Sequence, residues 1–314
     1  MEALKTHCAG VDVHKEILAI TVLIGAPEEK PVATQLECST FTDDLMACGL
    51  KLKEMGVTDV AMESTGIYWK PVFNVWDSIG LKVVVGNAGH IKNVPGRKTD
   101  MNDSRWIAEL HRFGLIRPSF IPDGEFQRMR LLSRHRTNLV DDLARVRNRV
   151  QKVLEDGNIK FGSVASDVFG VAGLAMLAEI SKGYTNPDVL TAVVTTKLKR
   201  MEDVRKAMTN CLTKEHCFVI SELMDQYHYL RARIDGAEQE LFQRVQPYKH
   251  LVEKLDEIPG IDVILAMGIV AEASTDMANF SDERKFAAWA GVAAGSNESA
   301  GKKKELALAL ETRT

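Results

Sequence analysis

The chain of 314 residues has no long apolar run, no cysteine pairs at ligand spacing and no net positive charge, and each lack removes a class of protein. A membrane span needs about 18 consecutive apolar residues, and the charged start MEALKTHCAGVDVHKE is not the apolar core of a secretory leader. The expected compartment is therefore the cytoplasm, with no membrane partner. Cys8, Cys38, Cys48, Cys211 and Cys217 are odd in number and lack metal-ligand spacing, which argues against a disulfide framework or a zinc ribbon and leaves free thiols. His14, His90, His111, His135 and His216 form no H-E-x-x-H or comparable pair and read as surface or core residues. A formal charge of −3 counts against polyanion binding by the molecule as a whole. Any such binding must come from local clustering.

What is present is a chain long enough for two domains, with 45% hydrophobic and 26% charged residues. Its opening third alternates short β-branched runs with helical patterns. CAGVDV, ILAITVL and PVATQLEC read as a three-strand meander, separated by a charged turn at His14 to Glu16 and by GAPEEKP. A helix follows from Thr42 to Met55, then VTDVAMES as a buried strand, a helix from Tyr68 to Ile79, and KVVVGN as another strand. A last helix is expected to start near Thr99 as N-cap and run through MNDSRWIAELHRF. This order predicts an α/β, RNase H-like (RuvC-like) domain.

From Pro122 to Asp156 and from His216 to Val245 the pattern is helical. Ile220, Leu223, Tyr227, Leu230, Ile234, Ala237 and Leu241 repeat at spacings of 3 and 4, the seam of a coiled coil. That seam is open to two readings, a coiled-coil or dimer arm, or packing on the chain's own Leu139, Leu143, Val146, Val150 and Val153. The residues between these helices, 157–211, suggest no role. Three parts follow: residues 1–121 as the RuvC-like domain, 122–250 as a long helical or coiled-coil segment, and 251–314 as a small, mostly α C-terminal domain.

Four carboxylates carry the chemistry. Asp12 sits mid-strand between Val11 and Val13, where unpaired burial would be costly, and Glu63 ends the apolar run of a predicted central strand. Asp100 and Asp103 stand three apart at the predicted start of a helix, a spacing that places both on one face. Hard cations such as Mg²⁺ take oxygen ligands, and two of them about 4 Å apart can stabilise both the attacking and the leaving oxygen of a phosphodiester. Singly, each residue also reads as a solvated strand end or a helix-dipole partner. Their order inside an RNase H-like succession of elements is far more specific.

Eight basic residues, Arg128, Arg130, Arg134, Arg136, Arg145, Arg147, Arg149 and Lys152, oppose only Asp141 and Asp142 over that stretch. They cannot share one narrow stripe, so a broad electropositive surface for an RNA or DNA backbone is expected. The alternative is a solvated charged helix. Ile258-Pro259-Gly260-Ile261 before an Ala- and Gly-rich helix has the form of a helix-hairpin-helix turn that grips phosphate through backbone N–H groups, or of a plain turn.

The segments GVDVHKE, AMESTGIYWKPV, GRKTDMNDSRWIAELHRFGLIRPSFIPD and IPGIDVILAMGIVAEA, then FAAWAGV and NESAGKKK, resemble the DEDD-type transposases of insertion-sequence family 110, which are bridge-RNA-guided recombinases. The resemblance runs from about Cys8 to Lys304. It implies a metal-binding tetrad of Asp12, Glu63, Asp100 and Asp103, and a C-terminal transposase domain with Ser299 as the nucleophile. It also implies Mg²⁺ as cofactor, DNA (element ends and target) and a structured guide RNA as partners, a homo-oligomer, and a bacterial or archaeal cytoplasm near the nucleoid. Cleavage would join the strand to the serine and conserve the phosphoester bond energy. A hydroxyl needs activation, which the tetrad or Lys302, Lys303 and Lys304 would supply. Outside the resemblance, Asn297 to Gly301 reads as a solvated turn.

Three features depart from the family pattern. The chain ends in ELALALETRT where family members carry a basic, glycine-containing stretch, Ala294 stands where Pro is usual, and Ser296 where Asn is usual. A truncated or frameshifted end is the expectation, a change of reading frame after Lys304 explaining it better than divergence. The competing functional readings are a non-catalytic nucleic-acid-binding remnant of such a transposase and an actin-like or sugar-kinase ATPase. The ATPase needs a glycine-rich phosphate loop after the first strand, and His14-Lys15-Glu16 is not one.

Overall fold

A computed structural model describes residues 3–95, 102–194, 201–292, 298–299 and 302–303. The chain divides into two units, residues 1–121 with 280–314, and residues 122–279.

The first unit is built on a five-stranded sheet. Strands β1 (His7–Val13), β2 (Ile17–Ile24) and β3 (Val32–Ser39) form the antiparallel meander. After α1 (Thr42–Glu54), β4 (Asp59–Glu63) returns parallel to β1. After α2 (Trp69–Ser78), β5 (Lys82–Gly86) adds parallel to β4. The spatial order is β3-β2-β1-β4-β5, an RNase H-like arrangement in an α/β unit. Two-residue alternation separates the faces. Ala9, Val11, Val13, Val60 and Met62 join one core with Leu45 and Leu52 of α1 and Val72 and Trp76 of α2. Buried Trp76 keeps its indole N–H satisfied by donating to the Leu45 carbonyl at 2.8 Å.

The opposite face is covered by α4 (Asp103–Arg112), which follows the short α3 (Ala88–Asn93). Ala61, Ile91, Trp106, Ile107, Leu110 and Ile116 form its core. This helix starts later than the sequence suggests. Asn102, with extended backbone, is the N-cap, and its side chain accepts from the Arg105 amide. Thr99, the expected cap, lies outside the described residues. At the far end, the buried Arg112 guanidinium donates to the carbonyls of Gly25, Ala26 and Glu29. The same unit includes α12 (Glu283–Trp289), whose Phe286 and Trp289 cluster with Phe280 and Phe120 at ring separations from 5.1 to 5.7 Å. Those aromatic contacts group residues from 280 onward with the sheet, whereas 251–279 falls in the helical unit.

The second unit is helical. Its axis is a pair of long helices, α5 (Gly124–Asp156) and α9 (Lys214–Val245), with α6 (Val171–Ser181), α7 (Pro187–Val193) and α8 (Met201–Met208) between them in sequence. The heptad seam closes inside the chain. Ile220, Leu223, Tyr227 and Ile234 share a core with Leu143, Val146 and Val150 of α5 and with Met176 and Ile180 of α6. Helix α11 (Val263–Ala273) packs on the N-terminal half of α5 and α10 (Lys249–Asp256) on α11, with Phe126, Met129, Val252, Met267 and Val270 in one core. No helix among the described residues is long and apolar enough to cross a membrane. Four of the five cysteines are buried free thiols, and burial pushes Cys8 up to about 11 and Cys48 to about 12.

Candidate active site

Alternation along β1 turns Cys8, Gly10 and Asp12 toward α4, and the parallel register, with Gly10 opposite Ala61, turns Ala61 and Glu63 the same way. Asp12 and Glu63 thus lie near the C-terminal ends of adjacent parallel strands. The helix above them presents Asp103 in its first turn. Gly10 makes this possible: a Cβ there would sit 2.1 Å from the Ala108 nitrogen and 2.3 Å from the Ser104 carbonyl oxygen, so only glycine lets the helix lie directly on the strand.

Three of the four candidate carboxylates, Asp12, Glu63 and Asp103, are therefore on the α4 side of the sheet, and Asp12 feels the other two. Burial raises the Asp12 carboxyl above its ordinary range, His14 opposes this, and the charges of Asp103 and Glu63 raise it further. Asp100 lies outside the described residues. Among those described, no group of three or more His, Cys, Asp or Glu side chains is gathered closely enough to hold a metal ion. The donor chemistry nevertheless fits a hard divalent cation, because Asp12, Glu63 and Asp103 offer only carboxylate oxygen and the charges of Asp103 and Glu63 both disfavour ionised Asp12.

Two side chains beside the candidate carboxylates do not read as site residues in the sequence, where His14 is a surface or core histidine and Thr65 carries no motif of its own. The Nε2 of His14 lies 3.1 Å from Asp12 Oδ2, and the Thr65 hydroxyl donates to Glu63 Oε1 at 2.5 Å. Both sit just beyond a strand end, two residues past the carboxylate each one meets. That offset is the available sequence signal.

Ser299 lies on β6 (Glu298–Ser299), which pairs antiparallel with β7 (Lys302–Lys303) in the register Ser299 to Lys302 and Glu298 to Lys303. The backbones of Ser299 and Lys302 are thus paired directly across the two strands. Gly260, in the turn between α10 and α11, has φ +91°, a conformation that suits glycine. The following helix is capped by Asp262, whose side chain accepts from the Leu265 amide at 2.7 Å.

The basic residues of α5 are unevenly available. Arg130 and Arg134 both pair with Glu272, and Arg136 pairs with Glu238, all within the helical unit. Arg128 pairs with Glu125, Arg145 with Asp142 and Arg147 with Asp167. Arg145, Arg149 and Lys152 are exposed and spaced 4 and 3 apart on one helical face.

Comparison with known proteins bears on the family of the chain. The transposase model for the DEDD enzymes of IS110 elements matches residues 9–159, and the model for transposases of the IS116/IS110/IS902 family matches residues 252–308. The search of curated proteins gives no match. Among solved structures, Thermus thermophilus RuvC aligns twice. In complex with a Holliday junction substrate it is 14% identical over 37% of this chain and 100% of its own, with a TM-score of 0.28. A second RuvC structure is 16% identical over 36% of this chain and 99% of its own, also with a TM-score of 0.28. The two family models fall on the two ends of the chain where the carboxylates and the serine lie, and the chain belongs to the IS110 family of transposases.

Proposed function

We propose that this transposase cuts and exchanges DNA strands with a divalent cation, Mg²⁺, held by Asp12, Glu63, Asp103 and Asp100, and with Ser299 as the nucleophile. The observation that carries the reading is the placement of Asp12, Glu63 and Asp103 on the α4 side of the sheet, where the charges of Glu63 and Asp103 both reach Asp12. A bound divalent cation supplies charge stabilisation at the scissile phosphate. This chain's own residues supply the rest. Asp12 is oriented by His14 and Glu63 by Thr65, while the strand pair holding Ser299 also carries Lys302 and Lys303, whose charge suits a developing oxyanion.

In this reading the attacking oxygen of Ser299 forms a phosphoester with the cut strand and releases a strand end with a free hydroxyl. Reversal of that step on a new end joins the strands, so no external energy source is needed. The exposed face of Arg145, Arg149 and Lys152 suits a nucleic-acid backbone, and we assign it to the structured guide RNA. Gly260 is assigned to a DNA contact at the hairpin turn. A homo-oligomer would form through a surface other than the heptad seam, which the helical unit already buries.

The test uses end-labelled element DNA with the guide RNA and Mg²⁺. Asp12→Asn and Asp103→Asn should each abolish cleavage. Ser299→Ala should abolish covalent capture of DNA on the protein while leaving metal affinity unchanged. Nucleic-acid binding with no cleavage by the unaltered chain would favour a non-catalytic remnant instead.

A further inference from the structure

We propose that Thr21 and Ser104 are positioning residues for the carboxylate site, a buried hydroxyl pair that sets where α4 lies along β1 and β2 and so where Asp103 stands relative to Asp12. The proposal rests on the metal-binding reading of that site.

The two hydroxyl oxygens are 2.8 Å apart, and both side chains are essentially out of solvent, Thr21 at 0% and Ser104 at 2% exposure. Around them the contact between sheet and helix is apolar, with Cys8, Leu23 and Ala108 on one side and Ala61, Ile107 and Leu110 on the other. An apolar contact is non-directional and tolerates sliding or rotation of a helix. A hydrogen bond between two buried hydroxyls does not, because displacing the helix would leave both groups desolvated and unmatched.

The location of the pair matters more than its existence. Thr21 is the register partner of Gly10, two residues from Asp12 on the same face, and Ser104 directly follows Asp103. One hydrogen bond therefore ties the strand position beside one carboxylate to the helix position beside the other. Gly10 brings the helix close enough for the bond to form. The other buried polar side chains described in this unit, His111 and Arg112, stand at the C-terminal end of α4, and Arg112 anchors that end to carbonyls of the β2–β3 loop. Thr21 with Ser104 is the corresponding anchor at the N-terminal end, where Asp103 stands.

The experiment measures Mn²⁺ binding to the full chain by the loss of free-ion paramagnetic resonance signal, alongside thermal melting. Replacing both hydroxyls together, Thr21→Val with Ser104→Ala, removes the bond without stranding either partner, so the melting temperature should change little. Mn²⁺ affinity should nevertheless fall about tenfold, the lower end of the effect expected when a group that orients metal ligands is lost. Thr21→Ser, which keeps the hydroxyl, should bind Mn²⁺ like the unaltered chain. Unchanged affinity in the double variant, with Asp12→Asn and Asp103→Asn both weakened, would overturn the positioning role alone. Unchanged affinity in the carboxylate variants as well would overturn the metal-binding reading and this inference with it.

Discussion

The backbone nitrogen of Ala108 lies where a side chain on Gly10 would have to be, 2.1 Å from the position of its Cβ. The strand bearing Asp12 and the helix bearing Asp103 are in contact at that point. Gly10→Ala must push α4 off the sheet or bend the strand. Overpacking of this kind costs about 1–3 kcal/mol. The expected result is a lower melting temperature together with weaker stabilisation by added divalent cation. Retention of both would mean that the helix can shift without disturbing the site.

The electrostatics of Asp12 predict how the protein responds to metal removal. Its carboxyl is raised by burial first and by Asp103 and Glu63 after that, so ionised Asp12 opposes folding at neutral pH. A carboxyl raised in the folded state loses stability as pH rises from its unfolded value through its folded one. In the presence of a chelator, Asp12→Asn should therefore melt no lower than the unaltered chain at neutral pH. Addition of Mn²⁺ should raise the melting temperature of the unaltered chain and leave that of Asp12→Asn almost unmoved. A scanning-calorimetry series in Mn²⁺ measures both effects.

His111 predicts an acid limit on stability. It is buried on α4, its Nε2 has no hydrogen-bond partner among the described residues, and burial, with Lys5 and Lys82 acting the same way and Asp59 opposing, lowers its pKa from 6.5 to about 4. Above pH 6.5 both folded and unfolded states carry neutral imidazole. As pH falls toward 4 the unfolded chain takes up a proton that the folded chain refuses, and stability of about 3 kcal/mol is lost across that window. His111→Leu should flatten the melting temperature between pH 7 and pH 4.5. An unchanged pH dependence would show that other groups set it.

The heptad seam yields a prediction opposite in form to that of a dimer arm. Ile234 is buried against helices of its own unit, so Ile234→Glu places a charge in a packed core. The outcome should be cooperative loss of helicity in circular dichroism, rather than a folded protein of smaller mass in light scattering. A folded variant with halved mass would return the seam to an intermolecular role.

Much of this molecule follows from short-range regularities. The alternation of CAGVDV and VTDVAMES places Gly10 with Asp12 and Ala61 with Glu63 on common faces, and the apolar spacing of α5 and α9 marks both helices and their seams. These are properties of period 2 and period 3.6, which a chain carries in any context. The same reasoning placed the start of α4 near Thr99, whereas Asn102 caps the helix, because both side chains are acceptable caps and sequence alone does not choose between them.

What the periodicity left open was decided by partners distant in sequence. The seam from Ile220 to Leu241 is equally apolar against a second chain or against α5, and the fold places α5 there. Arg130, Arg134 and Arg136 read as a polyanion surface until Glu272 and Glu238, more than 100 residues away, occupy them. Thr21 and Ser104 carry no motif at all, yet the docking of α4 on the meander makes them a buried pair. A sequence determines which face of an element is apolar and where its carboxylates stand along it. Only the long-range docking of those elements, governed by close approach at Gly10 and by the need to satisfy every buried polar group, decides which side chains meet.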